Sequence, residues 1–363
     1  MKKIQHPSAL VQADWVDMIR KEAFAAEQEG QLQPGQLALI YDQQWFKLLV
    51  PKAYGGLETP LPDLVRLEEA LAWADGSLGW VVTLCTGAGW FGGFIEPEVA
   101  LKIFADPQVC LAGSGAASGT AVKTEDGYLI NGSWKYASGV KHATHFTCNC
   151  NIEDENGPVL NEQGQPLVLP FVIDSKQATL IPAWKYIGMM GTGSHAFEIK
   201  DAVVTADRRF KIDATATQVD GLLYRYPFMQ LAEATLAANI AGIATHFIDL
   251  CPAVFENKPR LTPEKAATLS TELETARWNM EQARSEFYRA VDQSWELLFN
   301  NADASESLQA VSRTSRQLAT IARESVDTLY PYCGLLAASP DTEINQVWRD
   351  LHTASQHSLL TFN

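Results

Sequence analysis

The 363-residue sequence predicts an α+β fold in segregated blocks, helices first, strands in the middle and helices last. Three observations carry this reading. Apolar residues recur at helical spacing early in the chain and again beyond about residue 226. Between those stretches, period-two alternation and Asp-Gly and Asn-Gly pairs take over. Nowhere do short strands and helices alternate as βαβ units require. The expected division is 1–108 helical, 109–212 β and 213–363 helical.

In the first block, Leu61, Leu64, Val65, Leu71 and Ala72 keep the helical period behind Pro60 and Pro62, which suit a helix start. Gly76 and Ser77 interrupt the pattern. The apolar segment 78–84 has no polar face, so a helix buried on most sides is expected there. The densest apolar stretch, 78–94, is broken by Gly79, Gly87, Gly89, Gly92 and Gly93, and no run approaches the ~18 apolar residues of a membrane span. In the middle block, 121–124, 128–130 and 133–136 read as three short strands joined by turns at Asp126-Gly127 and Asn131-Gly132. Segments 167–173 and 197–204 add strands, and the polar stretch 153–165 is a loop. A meander of this kind closes into a small barrel or sandwich. In the last block, Leu308, Val311, Leu318, Ile321, Val326 and Leu329 are helical until Pro331. Ile344, Val347, Trp348, Leu351 and Ser355 then mark one face of a final helix.

Composition narrows the function. Hydrophobic residues at 47% and charged residues at 20% exclude intrinsic disorder. With 28 basic against 43 acidic residues the net charge is −15, and no basic patch offers a path for nucleic acid. Cys85, Cys110, Cys148, Cys150, Cys251 and Cys333 form no CxxC pair, so free thiols are expected and no metal site. The N-terminal segment has lysines but no apolar core of a signal peptide. Together these point to a reducing, cytoplasmic setting away from membranes.

Four segments have the residue types for chemistry. Residues 113–119, GSGAASG, allow close backbone approach to a flat or anionic ligand and carry hydroxyl donors; a plain flexible loop is the alternative. Strand alternation through 134–138 puts Trp134, Tyr136 and Ser138 on one face, suited to stacking on a ring or else to filling a barrel core. Residues 184–195 include Gly191-Thr192-Gly193. This superficially fits a dinucleotide fingerprint, but a strand-like segment follows rather than a helix, so a glycine turn at a barrel rim fits better. On the last helix, Asp350, Ala354 and His357 share a stripe, and a histidine there suits proton transfer near neutral pH unless the face is merely solvated.

These segments, in this order, resemble the acyl-CoA dehydrogenase superfamily over nearly the whole chain. The stretch VPKAYGGLETPLPDLVRLEEALAWADGSLGW, residues 50–80, looks like its N-terminal helical domain. GSGAASGTAVKTEDGYLINGSWKYASGVKHATHF, WKYIGMMGTGS and VWRDLHTASQH are similar to its flavin-dependent monooxygenase branch, often called group D. The resemblance implies an N-terminal helical domain, a middle β-barrel and a C-terminal four-helix bundle, assembled as a homotetramer. It implies FAD or FMN as cofactor, a separate flavin reductase as partner, and O2 acting with reduced flavin on a small organic substrate.

Roles follow by position. Ser114, Gly115, Ser118 and Gly119 would run along the flavin, and Trp134 and Tyr136 would pack against its ring. Ser138 would bond near its N5, and Gly191, Thr192 and Gly193 would wall the ring. Gly334 would meet the cofactor's distal part across a subunit interface. His357 would aid oxygen activation or substrate deprotonation. The chain departs from the dehydrogenase branch in two places. It lacks the Thr-Glu-Pro of the flavin loop, and Gln356-His357-Ser358-Leu359 stands where the catalytic glutamate would be; Glu233 is the substitute to consider. A second histidine of the monooxygenase branch is missing from 81–86, and with the chain stopping at Asn363 a short C-terminal tail is expected. The expectation is a flavin-dependent oxidoreductase, a monooxygenase ahead of an FAD-dependent acyl-CoA dehydrogenase or a non-catalytic member.

Overall fold

A computed structural model describes residues 4–258 and 261–361. Lys2, Lys3 and Asn363, on which the leader and tail readings partly rest, lie outside the described residues. The helices of the first block are α1 (Ala13–Glu29), α2 (Pro34–Asp42), α3 (Leu61–Ala74), α4 (Gly76–Gly89) and α5 (Pro97–Phe104). Between α3 and α4 the chain turns on one residue. Asp75 is extended, and its carboxylate accepts the Leu78 N–H at 2.7 Å, capping α4. As its lack of a polar face predicts, α4 is buried on almost every side.

The middle block forms one sheet from β1 (Leu111–Lys123), β2 (Gly127–Trp134), β3 (His145–Asp154), β4 (Gly157–Pro158), β5 (Val168–Asp174), β6 (Ala178–Ile181) and β7 (Ala196–Thr205). The order is β4-β3-β1-β2-β7-β6, with β5 also on β3. The sheet wraps an aromatic core in which Phe197 stacks between Trp134 and Phe146 at 5.2 and 4.2 Å.

The expected barrel is not closed. No ladder joins β5 to β6 among the described residues, and β5 instead meets the chain beyond β7, through a lone bridge between Phe171 and Arg209. Two local readings also change. Residues 113–119 are not a loop but the middle of β1, where the register against β3 shifts between Ser114 and Gly119. Asn131-Gly132 is a bulge inside β2, not a turn. The Asn131 side chain is tied to Asp201 at φ 51°, and a Cβ on Gly132 would sit 2.6 Å from the Gly119 Cα.

The last block holds α6 (Leu222–Arg225), α7 (Phe228–Glu256), α8 (Pro263–Phe299), α9 (Ser305–Cys333), α10 (Leu335–Ala338), α11 (Glu343–Ala354) and α12 (Ser358–Thr361). Helix α9 runs past Pro331 to Cys333, since a proline so near the C-terminus forfeits a single backbone bond. By length and composition α7 could cross a membrane, but 67% of its most apolar window is buried inside the protein. One continuous apolar core joins the helices of both end blocks. All six cysteines are free and buried.

Candidate active site

Where the sheet meets the helices, a cleft of about 260 Å³ opens. One wall is a stripe of α4, Thr83, Leu84, Gly87 and Ala88, at helical spacing, with Phe91 from the turn just beyond it. The opposite wall is Gly113, Ser114 and Gly115 of β1 with Thr147, Cys148 and Asn149 of β3. Helix α7 adds Leu231, Thr235 and Leu236, and Ser138 and His357 close the ends. Among the described residues, no Asp, Glu, Lys or Arg lines this cleft. Other hollows, around Arg20 and Asp75 and around Arg66 and Arg284, are charged and lined by none of the expected site residues.

Gly113 lets β1 and β3 come together: a Cβ there would lie 2.0 Å from the Thr147 hydroxyl. Gly115 faces open space, as a ligand-facing backbone does. Asn149 and Asn151 donate to the Gly115 and Ala117 carbonyls at 2.9 and 3.2 Å, holding the shifted segment in place.

Ser138 is buried and sits in a chain of hydroxyls. Its Oγ meets Trp80 Nε1 at 3.2 Å and Ser194 Oγ at 2.8 Å; Ser194 meets Thr192 Oγ1 at 2.6 Å, and Thr192 donates to the Met189 carbonyl at 2.6 Å. The ends fix its direction, because an indole N–H only donates and a carbonyl only accepts. Thr192 spends its proton on Met189, so Ser194 donates to Thr192 and Ser138 donates to Ser194. What Ser138 has left for the cleft is a lone pair.

His357 does not lie on the last helix with Asp350. Helix α11 ends at Ala354, and His357 occupies the corner before α12, its ring 6.1 Å from the Trp80 ring. Its Nδ1 accepts the Leu359 amide at 3.4 Å, which leaves the ring proton on Nε2. Burial holds its pKa below the ordinary imidazole range, so it is neutral near pH 7. Asp350 instead accepts the Met189 N–H at 2.5 Å and fixes the 188–193 turn; burial pushes its carboxyl well up.

The remaining expected residues are placed differently. Trp134 is enclosed in the sheet core, its Nε1 on the Asn149 carbonyl at 3.0 Å, and Tyr136 is 59% exposed with φ 64°. The positive φ reverses the alternation, so Trp134, Tyr136 and Ser138 do not share a face. Tyr136 joins an outer patch instead, its hydroxyl 3.1 Å from that of Tyr186. Ser118 donates to the Ser133 carbonyl, and a Cβ on Gly119 would strike the Trp134 ring at 2.1 Å. Gly191, Thr192 and Gly193 lie outside the cleft and reach it through Ser194. Gly334, at φ 66°, caps α9 on the surface beside Leu335. Glu233 points away from the cleft's chemistry, held by Arg316 at 2.7 Å and by Ser312. The α4 stripe was missed, although the resemblance had pointed at 81–86; Thr83 and Gly87, four residues apart on a largely apolar helix, were its local signal.

The fold is acyl-CoA dehydrogenase-like, and the candidate cleft lies between its sheet and helices. Residues 232–362 match the family model for the acyl-CoA dehydrogenase C-terminal domain. Over 94% of its length the chain is 25% identical to the oxygenase subunit HsaA of a flavin-dependent monooxygenase from Mycobacterium tuberculosis, covering 88% of that protein. An indole-3-acetate monooxygenase from Acinetobacter baumannii is equally similar, at 25% identity over 94% of this chain and 88% of its own. XiaF from a Streptomyces species, solved with FADH2 and glycerol, has the same fold at a TM-score of 0.86, with 21% identity over 96% of this chain and 89% of that one. The resemblance read from the sequence, to this superfamily and its flavin-dependent monooxygenase branch, is thereby borne out.

Proposed function

We propose that the chain is the oxygenase component of a flavin-dependent monooxygenase, acting on a small, largely apolar ring compound and taking reduced FAD or FMN from a separate reductase. The observation that carries this is a cleft lined, among the described residues, by a neutral imidazole and no carboxylate side chain. An acyl-CoA dehydrogenase needs a carboxylate there to take the α-proton. The relatives' names, a monooxygenase oxygenase subunit and an indole-3-acetate monooxygenase, support the same reading. Three domains at 1–108, 109–212 and 213–363, the last a bundle of α7, α8, α9 and α11, a homotetrameric assembly and a cytoplasmic site of action complete the proposal.

The residues present fit a flavin. Gly113, Ser114 and Gly115 give a backbone edge without side-chain bulk, and Ser138 gives an oriented hydrogen-bond acceptor. Bound reduced flavin supplies the electrons that activate O2. The chain's own part is to exclude water with Leu84, Phe91, Phe228, Leu231 and Leu236, and to present the His357 Nε2–H to the cleft as a hydrogen-bond donor.

The test uses reduced FAD and FMN, O2, and resorcinol and indole-3-acetate as probes. His357→Ala should bind reduced flavin as the wild type does, while hydroxylated product per O2 falls about 100-fold and peroxide replaces it. Unchanged coupling would remove His357 from the reaction, and a wild type that binds neither reduced flavin would remove the proposal.

A further inference from the structure

Behind the α4 wall three helices bring polar groups together: Glu68 from α3, Thr83 from α4 and Asn239 from α7. Their exposures are 0%, 2% and 0%, and of the three only Thr83 reaches the cleft. Asn239 Nδ2 donates to Thr83 Oγ1 at 3.4 Å. Both Glu68 carboxyl oxygens and Asn239 Oδ1 are buried with no hydrogen-bond partner among the described residues. Folded proteins rarely leave such groups standing, so a buried carboxyl and a buried amide gathered about one hydroxyl call for a purpose.

The hydroxyl's inventory is one proton and two lone pairs. Asn239 occupies one lone pair. Burial pushes the Glu68 carboxyl well up and the Thr83 hydroxyl draws it back down, so Thr83 turns its proton toward Glu68, whose carbonyl oxygen accepts even in the protonated acid. One lone pair is left, on a residue that lines the cleft. Leu84, Phe91, Leu231 and Leu236 line the same cleft and give a flat ring an apolar surface to lie on.

We infer that Glu68, Thr83 and Asn239 form a specificity site, at which Thr83, oriented by the other two, accepts a hydrogen bond from a phenolic O–H or indole-type N–H of the substrate. This rests on the cleft being the substrate site of the proposed oxygenase, but its test does not depend on turnover. A site built to take a donor discriminates strongly against the analogue that lacks it, because the polar atom is then buried unpaired.

The test measures equilibrium binding of p-cresol against 4-methylanisole, and of indole against 1-methylindole, to protein holding reduced FAD without oxygen. The wild type should favour each N–H or O–H compound by about tenfold or more. Thr83→Val, equal in shape, should bring both ratios near one by weakening the donor compounds. Glu68→Met frees the hydroxyl to turn and should erode the same ratios while Thr83 remains. Reduced-flavin affinity, measured alongside, separates the two readings. Loss of flavin binding in the wild type strikes the proposed function, whereas unchanged ratios in Thr83→Val, or no preference in the wild type, overturns this site alone.

Discussion

At the scale of single residues, the polarity of the Ser138 hydroxyl decides more than its position. Its proton is committed to Ser194 by a chain ending at the Met189 carbonyl, and Trp80 donates to it. A group opposite Ser138 must therefore donate. Reduced flavin carries an N–H at ring position N5, where oxidised flavin has a bare nitrogen, so the proposed site favours the reduced form. Ser138→Ala should lower the ratio of reduced to oxidised flavin affinity about tenfold, one hydrogen bond's worth. It should also cost about 1–3 kcal/mol of stability, because the buried Trp80 Nε1 loses its acceptor. Titrations with both flavin forms and urea unfolding check the two effects separately. A ratio that stays put while stability falls would leave Ser138 a structural residue.

At the scale of elements, Asp75 shows a cap working under strain. Burial, then Glu27 and Glu343, push its carboxyl up to about 6 from 3.8, against the Leu78 N–H and Arg20 that pull it down. The unfolded chain gives up this proton at lower pH than the folded one, so rising pH between 3.8 and about 6 favours unfolding. Above that window the penalty is complete. Asp75→Asn keeps an oxygen for the cap and removes the charge, so it should gain about 1–3 kcal/mol at pH 8 and little at pH 4. Asp75→Ala, losing the cap, should be weaker than Asp75→Asn at both. Thermal melts at the two pH values settle the sign. The sequence announced α3, the corner and α4 because periodicity and breakers act locally. It also placed Ser138 and His357 in segments that meet in the cleft. What it could not announce was set by distant partners. The Asn131-Gly132 pair became a bulge because Asp201 lies across from it, and residues 113–119 became strand because β3 runs beside them. Tyr136 left the expected face through one positive φ, and Thr83 faces the cleft only because α7 and β1 pack where they do.

At the scale of the whole molecule, the end blocks are far apart in sequence but share one core, and α3 is the seam. Beside the apolar contacts runs a buried polar stitch. Arg284 of α8 reaches Glu69 of α3 with Nη2–Oε2 at 2.7 Å, and the Tyr288 hydroxyl donates to the same carboxylate. Exposure of the two charged side chains is 8% and 1%. Burial favours the neutral guanidine, but the adjacent Glu69 outweighs it and the Arg284 pKa is raised. Desolvating two such charges cancels most of their attraction, so the pair is worth little net, while either partner alone is costly. Arg284→Met should therefore destabilise the protein by about 3–5 kcal/mol, leaving a buried carboxylate without its cation. Adding Glu69→Met to that variant should restore most of the loss, although each single change is severe. Urea unfolding of the four proteins gives the cycle. If the two losses simply add, the pair is not coupled, and if the double variant is as weak as Arg284→Met alone, the stitch is a source of stability in itself. If it recovers, the seam is held by the apolar core of α3, α7 and α8, and the ion pair serves to fix how the N-terminal helices, and with them the α4 wall of the cleft, seat against the C-terminal ones.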